Sequence, residues 1–227
     1  MYKRQDWENS SHYYLCCRKD TPLVRPSKSR QTLRCLFAGQ FGFSYDLETV
    51  IEVAGRLWEQ GRTDIEFVLV GDGYKKEELV RAARSVATVT FPGWLQPPAL
   101  ADIAAHCHVA LNCYTAKATQ SVPTKIFDYM QWGLYILNSL SGEAQELLER
   151  YEIGSTYRAE DASQLYTQIS QLAGDIETVI TKGLHARETF DAEFDAAVVY
   201  ERMVDELLME DVAIDDSPVR SMSRLDR

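Results

Sequence analysis

The chain of 227 residues has 24 basic and 34 acidic residues, and 45% of its residues are hydrophobic. This composition is typical of one or two folded domains rather than of a disordered chain, and no apolar run is long enough to predict a membrane span. The net charge of −10 argues against nucleic acid as the main partner, because duplex binding depends on basic surface. Five cysteines, two of them adjacent, fit free thiols in a reducing cytoplasm.

The first predicted segment is a basic N-terminal arm or linker at residues 1–32. Residues 1–34 carry eight basic and three acidic side chains, whereas the remainder of the chain is strongly acidic. No apolar stretch follows the first basic residues, so we expect no secretory signal. The arm is interpreted either as a solvated leader or as a segment that docks on a partner or on anionic lipid headgroups.

Short apolar runs alternate with amphipathic stretches over residues 33–174. Strands are predicted at 33–38, 67–70, 89–91, 109–112, 134–137 and 153–157. Helices are predicted at 47–60, 75–86, 98–105, from Pro123, at 143–150 and at 162–173. This alternation predicts an α/β fold, a Rossmann-like three-layer domain with a parallel sheet. C-terminal helices are predicted to pack on it at 175–210, with a break near residues 189–192, and a disordered tail at 211–227.

In such a sheet, ligands bind at the carboxyl ends of the strands, so the loops that follow the strands are the candidate sites. The first of them, Gly39 to Gly42, lacks the third glycine of a dinucleotide-binding fingerprint, and the chain has no P-loop motif. Both omissions disfavour an NAD enzyme and a P-loop NTPase. A zinc site at residues 106–108 with Cys113 is also disfavoured, because no second Cys/His pair lies at a suitable spacing. We therefore predict neither a metal nor a cofactor.

The most informative motif is SVPTKIFDYMQWG at residues 121–133, where a polar loop leads into a helix predicted to begin at Pro123. The free N–H groups of a helix start and the helix dipole favour an anion such as a diphosphate. Lys125 adds a cation in the first turn, and Asp128 can accept hydrogen bonds from the vicinal hydroxyls of a sugar. Gly133 ends the helix. A plain packed helix is the alternative interpretation.

The order of the segments FAGQFG, FVLVGDG, VTFPGWL, VALNCY, SVPTKIFDYMQWGLYILNS and GEAQELL over residues 33–210 resembles the C-terminal, donor-binding domain of GT-B glycosyltransferases. In particular, it is similar to the large retaining family 4. The resemblance implies that residues 33–174 bind a nucleoside-diphosphate sugar, most simply a UDP-sugar. It further implies retaining, metal-independent transfer in polysaccharide or glycoconjugate synthesis.

The resemblance also implies a set of site residues. The loop from Gly39 to Gly42 would approach the diphosphate, and Gly71, Asp72 and Gly73 would line the nucleotide side. Trp94 and Leu95 would flank the base. Backbone donors to phosphate and sugar would come from Ser121, Val122, Pro123 and Thr124. The two-carboxylate motif of the family, spaced by eight, would fall on Gln120 and Asp128, with Asp128 holding the ribose. Gln120 and Lys125 are the candidate catalytic residues.

Three departures from the family pattern accompany the resemblance. Gln120 is uncharged where the family has a glutamate, and residues 40–46 lack the usual basic pair, for which Lys117 or Lys125 would substitute. The chain also holds one such domain where the family has two. We therefore expect weak nucleotide binding and little transfer by the chain alone. The expected partners are a nucleotide-sugar donor, a sugar or lipid-linked acceptor, and a possible separate acceptor-domain subunit. The expected location is the cytoplasm, with possible peripheral attachment to the inner face of the membrane.

Two other interpretations stay open at this point. In one, the chain is a non-catalytic remnant or interaction partner of a glycosyltransferase, and the departures at Gln120 and in the first loop reflect lost chemistry. In the other, it is a GT-B-like nucleotide-sugar epimerase, although the carboxylates and histidine typical of that class are not evident.

Overall fold

The computed structural model describes residues 31–214, and they form an α/β domain built on a six-stranded, all-parallel sheet. The strands are β1 Leu33–Ala38, β2 Ile65–Val70, β3 Val89–Gly93, β4 Val109–Asn112, β5 Tyr135–Asn138 and β6 Gly154–Thr156. Their order across the sheet is β3-β2-β1-β4-β5-β6. The connections reverse direction between β1 and β4, and such a point opens a crevice at the carboxyl ends of the strands. The predicted fold class is confirmed.

Helices cover both faces of the sheet. They are α1 Leu47–Glu59, α2 Lys76–Ala82, α3 Pro97–Ala104, α4 Lys125–Gln131, α5 Glu143–Arg150, α6 Ala162–Gly174, α7 Ile176–Thr189 and α8 Ala196–Ile214. A π-helical turn, Phe190–Phe194, joins the last two. Among the helices described here, none has the length and hydropathy needed to span a bilayer.

The four inner strands, β1, β2, β4 and β5, are buried on both faces, which explains why they are almost continuously apolar. Successive side chains point to opposite faces. Phe37 of β1 joins one core with α1 and α6, whereas its neighbour Leu36 joins the other core with α4 and α5. These four helices are thereby held at fixed positions against the sheet.

Helix α4 begins two residues later than predicted. Its first helical residue is Lys125, and Thr124 precedes it without a side-chain cap. The N–H groups of Ile126 and Phe127 donate to the carbonyls of Pro123 and Thr124, both at 3.0 Å. These bonds span three residues rather than four, so the proline lies in a tight 3₁₀-type turn ahead of the helix.

The C-terminal region also differs from the prediction. The expected break is the π-helical turn, in which the N–H of Asp195 donates to the carbonyl of Phe190 five residues earlier. Helix α8 then continues to Ile214, beyond the predicted start of the tail at residue 211. Its Glu, Leu, Met and Ala residues are good helix formers, which accounts for the continuation. The remaining predicted tail and the N-terminal arm up to residue 30 lie outside the described residues.

Candidate functional site

A pocket of about 390 Å³ lies at the carboxyl ends of β1, β2 and β3, where α4 closes the opposite side. Its lining residues are Ala38, Gly39, Gln40, Val70, Gly71, Asp72, Trp94, Leu95, Leu100, Lys125, Asp128, Tyr129 and Trp132. The pocket therefore lies in the crevice beside the reversal point of the sheet, where parallel α/β sheets place their ligands.

One wall of the pocket is main chain, because the loops after β1 and β2 lie directly against each other. The Gly39 N–H donates to the Val70 carbonyl at 3.0 Å, and the Phe41 N–H donates to the Asp72 carbonyl at 2.8 Å. A Cβ atom on Gly71 would collide with the Gly39 carbonyl oxygen. The contact is between two backbones, so neither partner can move aside. The glycines thus bring bare backbone to the pocket surface.

The outer rim of the pocket carries Asp72 and Trp94. The Asp72 carboxylate accepts hydrogen bonds from Lys76 Nζ at 2.6 Å and from the Gly73 N–H at 2.8 Å. Both bonds, with the lysine first, lower the pKa of Asp72, so its carboxylate is ionised at neutral pH and is paired with Lys76. The Trp94 side chain is 64% exposed, which leaves a flat aromatic face available at the end of β3.

The opposite wall is one face of α4. Lys125, Asp128, Tyr129 and Trp132 follow one another at steps of three, one and three residues, a spacing that places them on the same side of a helix. The Tyr129 hydroxyl accepts from the Ala38 N–H at 3.3 Å and lies 3.4 Å from the Leu111 carbonyl, to which it donates. These bonds tie α4 to the ends of β1 and β4, and burial raises the pKa of Tyr129 so that the hydroxyl stays neutral.

The Lys125 amine is the electrostatic centre of the site. Its Nζ lies 4.3 Å from the centre of the Phe37 ring and 4.0 Å from that of the Tyr45 ring. It is buried, and among residues 31–214 it finds no hydrogen-bond partner. Burial lowers the pKa of Lys125. Two aromatic faces stabilise the cation in part, but a buried ammonium group without an acceptor carries an energetic cost that an incoming anion would relieve.

The start of α4 adds neutral donors to this cation. No hydrogen bond within the described part of the chain uses the N–H groups of Thr124 and Lys125, and no side chain caps the helix. Pro123 has no N–H group and so cannot donate. The start of α4 therefore offers free main-chain amides in addition to the Lys125 cation of the pocket, and both kinds of group suit a phosphate.

The sequence profile of the family described as "Glycosyl transferases group 1" matches residues 32–175. The chain belongs to that family. The resemblance noted from the sequence is thereby confirmed. No curated protein sequence matches the chain significantly.

Solved structures share the fold at low sequence identity. HepE from Anabaena, crystallised with UDP, superposes with a TM-score of 0.64 at 19% identity, over 79% of this chain and 49% of HepE. Sucrose-phosphate synthase from Thermosynechococcus elongatus gives 0.66 at 20% identity, over 82% and 47%. The catalytic domain of the Helicobacter pylori cholesterol-α-glucosyltransferase gives 0.56 at 16% identity, over 69% and 96%. The chain thus spans about half the length of the first two.

In this group 1 glycosyl transferase domain, the pocket unites seven of the residues predicted from the sequence. They are Gly39, Gly71, Asp72, Trp94, Leu95, Lys125 and Asp128. The pocket lining does not include the other seven: Gly42, Gly73, Gln120, Ser121, Val122, Pro123 and Thr124. The ligand contacts predicted for both sets remain predictions.

Several of the residues outside the lining have identifiable structural contacts. A Cβ atom on Gly73 would lie 2.6 Å from the Phe41 carbonyl oxygen, so Gly73 permits the two loops to pack. The Ser121 hydroxyl donates to Glu143 at the start of α5. Gln120 is exposed in the loop that leads to α4.

Sequence reasoning missed Ala38, Val70, Leu100, Tyr129 and Trp132 in the pocket wall, whereas Gln40 lies in the predicted loop from Gly39 to Gly42. Tyr129 and Trp132 were detectable, because they lie four and seven residues after Lys125 and so share its helix face. Ala38 and Val70 were also detectable as the last residues of β1 and β2. Leu100 carries no such signal.

In the portion of the chain that the structure describes, no group of three His, Cys, Asp or Glu side chains is arranged to hold a metal ion. His108 Nδ1 accepts from the Arg34 N–H at 3.0 Å, and His106 Nδ1 lies 2.8 Å from the Asp102 carbonyl. Burial raises the pKa of Cys113 to about 12, so its thiol is protonated at neutral pH.

Proposed function

We propose that the pocket binds a nucleoside-diphosphate sugar, most simply a UDP-sugar, and that the domain is the donor-binding part of a glycosyltransferase. The observation that carries the proposal is the buried Lys125 amine, which has no acceptor among residues 31–214 and borders the pocket. Membership of the group 1 family and the UDP in the HepE crystal structure support the choice of ligand.

The diphosphate would lie between Lys125 and the main chain of Gly39 and Gly71. Lys125 Nζ is close to Gly39, since a Cβ atom there would be 2.6 Å from the amine. Asp128, one turn further along α4, would accept hydrogen bonds from the ribose hydroxyls. Trp94 and Leu95 would flank the base at the outer rim. The pocket volume of about 390 Å³ is within the usual range of small-molecule sites.

The proposed reaction is retaining and metal-independent. The bond between the anomeric carbon and the donor phosphate breaks, negative charge develops on the leaving diphosphate, and the sugar becomes oxocarbenium-like. Lys125 and the free amides at the start of α4 would stabilise that charge, because donors held in place by the fold need no reorganisation during the reaction. The acceptor oxygen attacks from the same face and passes its proton to the leaving phosphate. Gln120 would hydrogen-bond the transferred sugar without contributing charge.

The acceptor, a sugar or a lipid-linked sugar, would be held by a second lobe, in the same polypeptide or as a separate subunit. Phe194, two residues before α8, packs on Phe127 in the first turn of α4, with ring centres 5.2 Å apart, so the start of α8 is held against α4. Tyr200, Val204, Leu207 and Leu208 share one face of α8 and are 53–61% exposed. We assign this apolar face to contact with the second lobe. We further propose that the enzyme acts in the cytoplasm, in polysaccharide or glycoconjugate synthesis. A lipid-linked acceptor would bring it to the inner face of the membrane.

Calorimetric titration of the full chain with UDP, GDP and ADP tests the donor site. We expect UDP to bind at millimolar concentration or better. Lys125→Met keeps the length of the side chain but removes the charge, and we expect it to weaken binding by about 10- to 100-fold, the usual worth of a hydrogen bond to a charged group. Lys182→Met, at a lysine of α7 outside the pocket lining, is the matched control and should bind as the unchanged protein does.

A non-catalytic remnant is the second candidate, and the uncharged, exposed Gln120 together with a first loop without basic residues favours it. A remnant predicts no binding of any of the three nucleotides, or equal losses in both lysine variants. Binding that depends on Lys125 alone would instead support the donor site.

A further inference from the structure

A second concave surface lies between the outer faces of α1 and α2. It is a groove of about 630 Å³, larger than the donor pocket. Its floor is apolar and is formed by Ile51, Gly55, Trp58, Leu79, Ala82 and Val86. Its position over helices rather than at strand ends makes it separate from the donor site.

The rim of this groove is acidic. Glu48, Glu52, Glu59 and Glu78 surround the floor. Lys75 pairs with Glu48 at 2.6 Å, and the guanidinium of Arg56 lies over the Tyr166 ring at 4.9 Å. In the part of the chain that the structure describes, no ion pair neutralises Glu52, Glu59 or Glu78. An apolar floor bordered by three unpaired carboxylates fits a segment with apolar residues at its centre and basic residues on either side.

Gly55 keeps the floor of the groove open. A glycine inside a helix costs about 1 kcal/mol relative to alanine. A Cβ atom at Gly55 would have an ordinary contact of 3.8 Å with Val86 Cγ2, so the packing of α1 on α2 does not require a glycine here. Because Gly55 has no side chain, the floor of the groove keeps space for a ligand at this position.

The chain itself delivers such a segment to the mouth of the groove. The Leu33 N–H donates to the Asp64 carbonyl at 2.8 Å, and Leu33 is paired with Ile65. The chain therefore reaches β1 beside the turn that follows α1, the helix that ends with Trp58 and Glu59. A segment of 13 residues can reach about 45 Å when extended, whereas the 13 residues of α1 extend for only about 20 Å.

Residues 18–30 have the composition that the groove requires. They contain Arg18, Lys19, Arg25, Lys28 and Arg30 against one acidic residue, Asp20, with the apolar pair Leu23 and Val24 between the basic groups. We propose that the groove between α1 and α2 is the docking site of this segment. Leu23 and Val24 contact the apolar floor, and the basic side chains pair with Glu52, Glu59 and Glu78.

Limited trypsin digestion of the full chain tests the proposal. Cleavage after Lys19 and Lys28 is followed by mass spectrometry, with cleavage after Arg220 as the internal reference. We expect the triple variant Glu52→Gln, Glu59→Gln and Glu78→Gln to be cut in the segment at least about fivefold faster, since three weak ion pairs are lost together. Leu23→Asp should accelerate cleavage in the same way through the lost apolar contact.

The control is a second triple variant, Glu146→Gln, Glu201→Gln and Asp205→Asn, which neutralises three exposed carboxylates that do not line the groove. It should leave the cleavage rates unchanged. Equal rates in the groove variant and the unchanged protein would overturn the proposal, as would segment cleavage as fast as in a free peptide of residues 16–31. Protection that rises with protein concentration would also overturn it, because the groove would then be filled by the segment of a second copy.

Discussion

The two walls of the pocket at the strand ends are built from different chemical groups. The wall formed by the loops after β1 and β2 consists of backbone, with glycines that let two main chains touch. The wall formed by α4 consists of side chains, with a cation, a carboxylate and two aromatic rings on one helix face. The first wall sets the shape of the pocket and tolerates no added atom. The second presents charged and aromatic side chains to the pocket.

The largest expected effect comes from the backbone wall. Gly71→Ala places a Cβ atom on the Gly39 carbonyl oxygen, and we expect a loss of about 3–5 kcal/mol in the free energy of unfolding together with loss of nucleotide binding. Urea denaturation and calorimetry measure the two effects. Gly61→Ala is the matched control, since Gly61 has a positive φ but no atom near its missing Cβ. It should lose only about 1–2 kcal/mol. Similar losses in the two variants would contradict the assignment of a steric role to Gly71.

The side-chain wall should respond in the opposite way, with altered binding and little change in stability. Asp128→Ala removes the proposed ribose acceptor, and we expect the affinity for UDP to fall by about 5- to 50-fold while the urea midpoint stays within the range of an ordinary surface change. Affinity for inorganic pyrophosphate should be unaffected, because it has no ribose. Equal losses for UDP and pyrophosphate would show that Asp128 acts through Lys125 rather than on the sugar.

Lys125 of α4 lies close to Gly39 of the other wall. Its ionisation is expected to make both the stability of the fold and the affinity for a diphosphate depend on pH. Its folded-state pKa is lowered by burial, so the unfolded chain binds more protons than the folded one at pH values between the folded pKa and the usual value for lysine. Without ligand, stability therefore rises with pH through this window. A diphosphate binds the protonated amine, so affinity should fall over the same window.

Denaturation and calorimetry as a function of pH measure both trends. Neither the rise in stability nor the fall in affinity with pH should occur in Lys125→Met. A pH dependence that this variant retained would have to come from another titratable group.

Trp94 is expected to give the smallest effect. It is largely exposed, and an aromatic contact of this kind contributes about 0.5–1.5 kcal/mol, so Trp94→Ala should weaken UDP binding by about 2- to 10-fold. Quenching of tryptophan fluorescence by UDP provides a second measurement. Trp94→Phe should retain most of the affinity, which separates stacking on the base from a hydrogen bond of the indole.

Much of the fold was predictable because the sequence carries two clear periodicities. The bounds of β1, β4 and α5 agree with the predicted ones, since each is a short apolar or amphipathic run between polar turns. The start of α4 was wrong because proline is compatible with both an α-helical first turn and a 3₁₀ turn, and only the bonds to the Pro123 and Thr124 carbonyls distinguish them. The end of α8 was wrong because weak apolar periodicity was taken as disorder, whereas its residues favour helix.

What the amino-acid sequence determined by itself was the set of elements, the parallel sheet and hence the edge at which a ligand binds, because right-handed crossovers leave one arrangement of strand ends. It also identified Lys125 and Asp128 as neighbours on one helix. Only the tertiary structure decided that the Lys125 amine is buried between Phe37 and Tyr45 without an acceptor in the described residues, and that Gly71 lies on the Gly39 backbone. Both facts depend on distances between loops far apart in sequence, and local patterns of residues carry no information on such distances.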